Sequence, residues 1–130
     1  MPHFLDTNVV AYAFSTDPRS AAALPLLSNA VVSVQTCNEL TNVARRKWGE
    51  SWLRIAIMVE MVMTAAASVR SVDLATHNLG RELAERYQLG VYDSFIVAAA
   101  LLGGCDTLYS EDMHHGLVIE DRLTIRNPFV

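Results

Sequence analysis

Positive charge is scarce in this sequence. Lys and Arg number 10 against 14 Asp and Glu, Lys47 is the one lysine, and the net charge is −4. That balance excludes a protein that holds nucleic acid by charge spread over its whole surface, since such binding needs many cationic contacts to phosphate. A local contact bridged by divalent cations stays open. Cysteine is nearly missing too. Cys37 and Cys105 lie in apolar surroundings without metal-ligand spacing, which argues against a disulfide framework and predicts reduced core thiols. No Pro/Gly-rich linker, low-complexity tract or internal repeat interrupts the 130 residues, so one domain over residues 1–130 is expected. Long apolar runs are absent. The greasiest stretch, Ile55 to Val69, is broken by Glu60 and falls short of the roughly 20 residues of a membrane span. The first residues carry no basic segment followed by a long apolar run. A cytoplasmic protein without membrane contact is expected. What is abundant is apolar side chain, 52 % of the sequence against 18 % charged, which suits a packed globule and excludes a disordered chain.

The apolar residues fall into short runs separated by capping residues. His3-Phe4-Leu5 reads as a strand that stops at Asp6-Thr7-Asn8, a strand-to-helix turn. Asp17-Pro18 predicts a helix cap and first turn, with the helix running to about Ser28. Ala30 to Val34 reads as a buried strand, followed by a helix from about Thr36 to Trp48. Ser51 opens a long helical segment, and Val69 to Val72 reads as a third strand. Asp73 caps a helix to about Gln88 that Gly90 stops. Tyr92-Asp93-Ser94 starts the next helix, ending at Gly103-Gly104. Thr107-Leu108-Tyr109 makes a fourth strand and Leu123-Thr124-Ile125 a fifth. Strands alternating with helices predict an α/β fold whose mainly parallel sheet is covered on both faces.

Ligands of open α/β sheets bind beyond the carboxyl ends of the strands. Asp6 follows strand one, Glu39 lies in the first turns of the helix after strand two, Asp93 opens the helix that feeds strand four, and Asp112 lies just past strand four. All four acids can reach one sheet edge. Each has a plainer reading: Asp6 and Asp93 as helix caps, Glu39 as a first-turn acid favoured by the helix dipole, Asp112 as a loop acid. Asp106, before strand four, reads as a turn residue or an accessory ligand. Four carboxylates brought together repel one another, and divalent cations relieve that repulsion. Oxygen-only donors favour Mg²⁺ or Mn²⁺ over Zn²⁺. Such ions can acidify a bound water and offset charge on a phosphate under attack, which makes an acidic pocket compatible with a nucleic-acid substrate.

The same residues resemble a known family. Phe4-Leu5-Asp6-Thr7-Asn8-Val9 resembles the opening motif of PIN-domain nucleases, and Asn38-Glu39-Leu40 their second acidic motif. Tyr92-Asp93-Ser94-Phe95-Ile96-Val97-Ala98-Ala99-Ala100 resembles the third, an Asp opening an Ala-rich helix. Leu108-Tyr109-Ser110-Glu111-Asp112-Met113, with Gly116 following, resembles the fourth, and Ile125-Arg126-Asn127-Pro128-Phe129 is similar to the close of VapC-type members. The resemblance spans the chain in the right order. It implies a three-layer α/β/α sandwich, a PIN-like nuclease, and Mg²⁺- or Mn²⁺-dependent RNA cleavage leaving a 5′-phosphate and a 3′-hydroxyl. It also implies a toxin silenced by an antitoxin encoded beside it. Asp6, Glu39, Asp93 and Asp112 carry over as metal ligands. Thr7, Asn8 and Ser110 carry over as residues that orient ligands or water.

Arg45-Arg46-Lys47 is the one compact basic cluster. It reads either as cations at a helix C-terminus or as a rim for RNA phosphates or antitoxin carboxylates. Trp52, Ile55, Ala56, Val59, Met63 and Ala66 form a helical stripe suited to a core, while Ile57, Met58, Met61 and Val62 make another face apolar. Two apolar faces point to an antitoxin groove or a second subunit, and a homodimer is expected. The adjacent His114 and His115 point in different directions and read as solvent-exposed. Two rival functions remain. An aspartate-dependent phosphatase would use Asp6 as phosphoryl acceptor, but Asn8 holds its second acid position. A non-catalytic PIN-like interaction module would usually have lost an acid, and all four are present.

Overall fold

The computed structural model describes residues 2–130. Six short strands form one sheet: β1 His3–Leu5, β2 Val31–Ser33, β3 Ser68–Arg70, β4 Thr107–Tyr109, β5 Val118–Ile119 and β6 Leu123–Arg126. Their spatial order is β3-β2-β1-β4-β6-β5, parallel throughout except for β5, which pairs antiparallel with β6. The helices are α1 Thr7–Ala13, α2 Ser20–Ala23, α3 Val34–Arg46, α4 Trp52–Ala65, α5 Leu74–Tyr87 and α6 Val91–Leu102.

Successive residues of a strand point to opposite faces, and here that alternation separates two cores. Phe4, Val31, Leu108 and Ile125 pack with Leu83 of α5 and the run Ile96 to Leu101 of α6. Leu5 and Val32 face the other way, onto Val9 and Val10 of α1, Leu40 of α3 and Val62 of α4. Helices cover both faces of the sheet, which is the expected α/β/α sandwich. The fully or almost fully buried Ala98, Ala99 and Ala100 let α6 lie close against the strands.

The structure corrects several element boundaries. The helix expected from Asp17 to Ser28 is a turn, four α-helical residues and a 3₁₀ turn over Leu24–Leu27. The Asp17 carboxylate accepts from Arg19 N–H at 2.8 Å within the turn, and Pro25 has no N–H with which to continue a helix. Ser33, rather than a residue beyond Val34, caps α3 through a reciprocal capping box with Thr36. Gln88, in the left-handed region at φ 56°, closes α5, and Gly90 stands at the head of α6. The hairpin strand β5, two residues long, carries too little periodicity to be visible in sequence. On α4 the core-facing residues are Ile55 and Val62, with Met58, Val59 and Ala66 half-buried, while Trp52, Ala56 and Met63 of the expected stripe are exposed. A helix apolar on two faces does not disclose its rotation. Among the described residues no helix is long and apolar enough to cross a membrane.

Candidate active site

The parallel strands deliver their carboxyl ends to one edge. Asp6 N–H donates to Tyr109 C=O at 3.0 Å, and Ser110 N–H to Arg126 C=O at 3.0 Å, so the residues following β1 and β4 leave the sheet side by side. Asp6 is buried at 7 % exposure. Its Oδ1 accepts from Thr7 N–H at 2.7 Å, capping α1, while its Oδ2 accepts from Ser110 Oγ at 2.8 Å and Asn8 Nδ2 at 3.4 Å. Capping and a place in the acid cluster therefore coexist. Burial pushes the Asp6 carboxyl up to about 6; the Ser110 and Thr7 hydrogen bonds pull it down, and the charges of Asp93 and Glu39 push it further up.

Glu39 accepts from Thr7 Oγ1 at 3.1 Å and from Gln35 Nε2 at 3.4 Å. Asp112 accepts from Asn8 Nδ2 at 3.1 Å, and its own N–H donates to Ser110 Oγ at 3.3 Å. Asp93 is not a cap: Gly90 occupies that position and Asp93 lies in the first turn. The Asp93 carboxyl is raised by burial and then by the charge of Asp112. Charge thus links Asp6 to Glu39 and Asp93, and Asp93 to Asp112, across four elements of the chain. Among the described residues, the ion pairs of Arg19, Arg54 and Arg86 go to Asp17, Glu111, Glu50 and Glu120, none of them in this set.

An all-oxygen donor set with uncompensated mutual repulsion fits a hard divalent cation in its chemistry. It is not a closed cage: among the described residues no three Asp, Glu, His or Cys side chains already stand in a metal-holding group. Asp6, Glu39 and Asp112 are held by hydrogen bonds from Thr7, Asn8, Gln35 and Ser110. Thr7, Asn8 and Ser110 all contact acids of the set.

Asp106 does not belong to it. It precedes β4, and its N–H donates to Pro2 C=O at 3.2 Å, at the opposite end of the parallel strands. Glu111 turns away to an ion pair with Arg19 at 3.4 Å and a hydrogen bond that pushes the Tyr12 hydroxyl up. The basic cluster divides. Lys47 lines a cleft of about 590 Å³ together with Asn8, Tyr12, Trp48 and Asp112. Arg45 instead donates to Glu50 C=O at 3.0 Å and lies 4.6 Å over the Trp52 ring. His114 lines a depression with Asp93 and Asp112, whereas His115 Nδ1 accepts from Asn127 N–H at 2.8 Å. Tyr12 and Gln35 were not picked out from sequence. Their signal is helical spacing, one turn after Asn8 and one turn before Glu39.

A family model, PIN domain, matches residues 3–116. No curated protein matches in sequence. Among solved structures, the fold is similar to that of a toxin–antitoxin complex from Klebsiella pneumoniae, with TM-score 0.73, 18 % identity and 97 % of each chain covered. Mycobacterium tuberculosis VapC20, described as a sarcin-ricin loop cleaving toxin, gives TM-score 0.67 and 19 % identity over 85 % of this chain and 91 % of that one. VapBC-1 from nontypeable Haemophilus influenzae gives TM-score 0.66 and 20 % identity over the whole of both chains. At these identities the likeness is one of fold.

Proposed function

The chain belongs to the PIN domain family, and from that premise we propose that it is a divalent-metal-dependent endoribonuclease, the VapC-type toxin of a toxin–antitoxin pair. The observation that carries this reading is the set of four carboxylates, from beyond the ends of β1 and β4, the second turn of α3 and the first turn of α6, coupled by charge at one sheet edge. Asp6, Glu39, Asp93 and Asp112 would hold Mg²⁺ or Mn²⁺. The bound ion supplies a more acidic water and offsets charge on the scissile phosphate. Thr7, Asn8 and Ser110 fix the carboxylates that face it. Lys47 draws the RNA backbone into the cleft beside Asn8 and Asp112. The acids position the ion and are not themselves nucleophiles; products with a 5′-phosphate and a 3′-hydroxyl are what the resemblance to PIN-domain nucleases implies.

Residues 1–130 would work as one nuclease domain, in the cytoplasm and as a homodimer. The partner reading is supported by the fold neighbours, which are toxins or toxin–antitoxin complexes, and by α4. Trp52, Leu53, Ile57, Met61 and Met63 are exposed there, and Ile57 and Met61 line a shallow groove of about 620 Å³ with Ala56, Glu60, Thr64 and Ala65. An amphipathic antitoxin helix suits such a face.

The test is cleavage of RNA by purified protein with Mn²⁺ or Mg²⁺, followed by sequencing of the new ends. Asp6→Asn and Asp93→Asn are expected to abolish cleavage while the fold persists. Full activity of either variant, or of the native chain in excess EDTA, overturns the metal-dependent reading, whereas no cleavage by the native chain with either ion leaves the non-catalytic module.

A further inference from the structure

Tyr92 immediately precedes Asp93, and its ring is 77 % exposed. The ring is held by an aromatic support: it meets Phe95 edge-on, centroids 6.3 Å apart at 80°, and Phe95 stacks on His77 at 5.4 Å and 30°. Phe95 is wedged against α5 at Gly80, where a Cβ would lie 2.3 Å from Phe95 Cδ1. The chain therefore presents a flat, largely apolar face one residue from a carboxylate of the candidate site.

Beneath that ring lies a concavity of about 120 Å³, lined by Val72, Tyr92, Phe95 and Ile96 and, on its polar side, by Gln35 and Glu39. Glu39 is shared between this concavity and the acid set. The space suits one flat ring system. Eight residues line it, against the roughly 20–30 a side of a stable protein interface, which argues against a second folded chain as its occupant. A neutral base also suits the electrostatics. On a chain of net charge −4, affinity gained by stacking does not require positive charge.

We propose that this trough binds one nucleobase of single-stranded RNA, stacked on Tyr92 and bordered by the Gln35 amide, beside the phosphate that lies at the carboxylates. Single-stranded RNA offers splayed bases to aromatic side chains. Tyr92 is thus a substrate-positioning residue, and the trough gives the enzyme a base preference next to the cut. The proposal rests on the ribonuclease reading above.

The experiment measures cleavage of single-stranded RNA oligonucleotides that differ in one base on either side of the cut, for the native chain, Tyr92→Ala and Tyr92→Phe. Loss of the stack is expected to raise KM about tenfold or more, with the change falling on KM more than on kcat and the base preference flattened. Tyr92→Phe retains the native values. Unchanged KM and preference in Tyr92→Ala overturn the proposal while leaving the ribonuclease intact. So does loss of activity accompanied by dissociation of a dimer in sedimentation, which assigns the trough to a second copy. If the native chain cleaves none of these RNAs with Mg²⁺ or Mn²⁺, the underlying reading fails first.

Discussion

Asn8 ties the residue that follows β1 to the loop that follows β4: its Nδ2 donates to Asp112, 104 positions away, at 3.1 Å and to Asp6 at 3.4 Å. Its Oδ1 accepts from Glu111 N–H at 3.2 Å, so one amide fixes both sides of the acid set. Because Asn8 is neutral, it can bridge two carboxylates without contributing charge of its own.

Removing that bridge by Asn8→Ala should weaken metal use more than folding. Loss of a group that orients ligands costs metal affinity about 10- to 100-fold, while the lost hydrogen bonds cost on the order of 1 kcal/mol. The measurement is the Mn²⁺ concentration giving half-maximal RNA cleavage, with a thermal melt alongside. A half-maximal concentration equal to the native one would remove Asn8 from the site.

Asp6 makes stability depend on pH in a direction that can be worked out. Its carboxyl, ordinarily at 3.8, is pushed up to about 6 chiefly by burial. Between these values the folded chain retains a proton that the unfolded chain has released. Its contribution to stability is therefore full below about pH 4 and is lost as pH rises through 6. At neutral pH the buried charge costs at most about 3 kcal/mol. Asp6→Asn should melt higher than the native chain at pH 8 without metal, and the gain should vanish at pH 4. Saturating Mn²⁺ should reverse the order at pH 8, because it stabilises the native carboxylate and not the amide. Equal melting differences at pH 4 and pH 8 would contradict this account.

Asp6 is legible in sequence because β1 runs straight into α1 and a strand-to-helix turn carries local signals, whereas β4 runs into a loop before β5, where only its motif marks Asp112. Their convergence followed from a parallel sheet, whose strands end at one edge. Other features depend on tertiary context. Asp93 read as a cap, but Gln88 takes the left-handed position that ends α5 and frees Gly90 to head α6, placing Asp93 inside the first turn. Arg45 and Lys47 looked equivalent as neighbours in one basic run. At the end of α3 they point in different directions, one to Trp52 and one into the cleft.

That division predicts different outcomes for two neighbouring cations. Lys47→Ala should raise KM for RNA and lower the slope of log affinity against log salt by about 0.7, the value for one phosphate contact on a single strand. Arg45→Ala should leave the slope unchanged and cost roughly 0.5–1 kcal/mol of stability through its lost contact with Trp52. Binding titrations with the Asp93→Asn chain at several salt concentrations separate the two. Equal slopes for both variants would mean that the cleft is not the RNA track.

The exposed face of α4 can be separated from its buried face by paired substitutions. Ile57 and Met61 are 53 % and 55 % exposed, whereas Val62, on the same helix, is 1 % exposed. Ile57→Glu and Met61→Glu should leave the melting of the isolated chain within about 0.5 kcal/mol of native. Val62→Ala should lower stability by roughly 1–3 kcal/mol through the cavity it leaves. Against the antitoxin the order should invert. A carboxylate in the middle of an apolar contact is desolvated without a partner, so the two Glu variants should escape inhibition while Val62→Ala remains inhibited wherever it is folded. RNA cleavage titrated with the protein encoded beside this chain reads the result directly. Native inhibition of both Glu variants would place the antitoxin elsewhere and leave the apolar face of α4 to another partner.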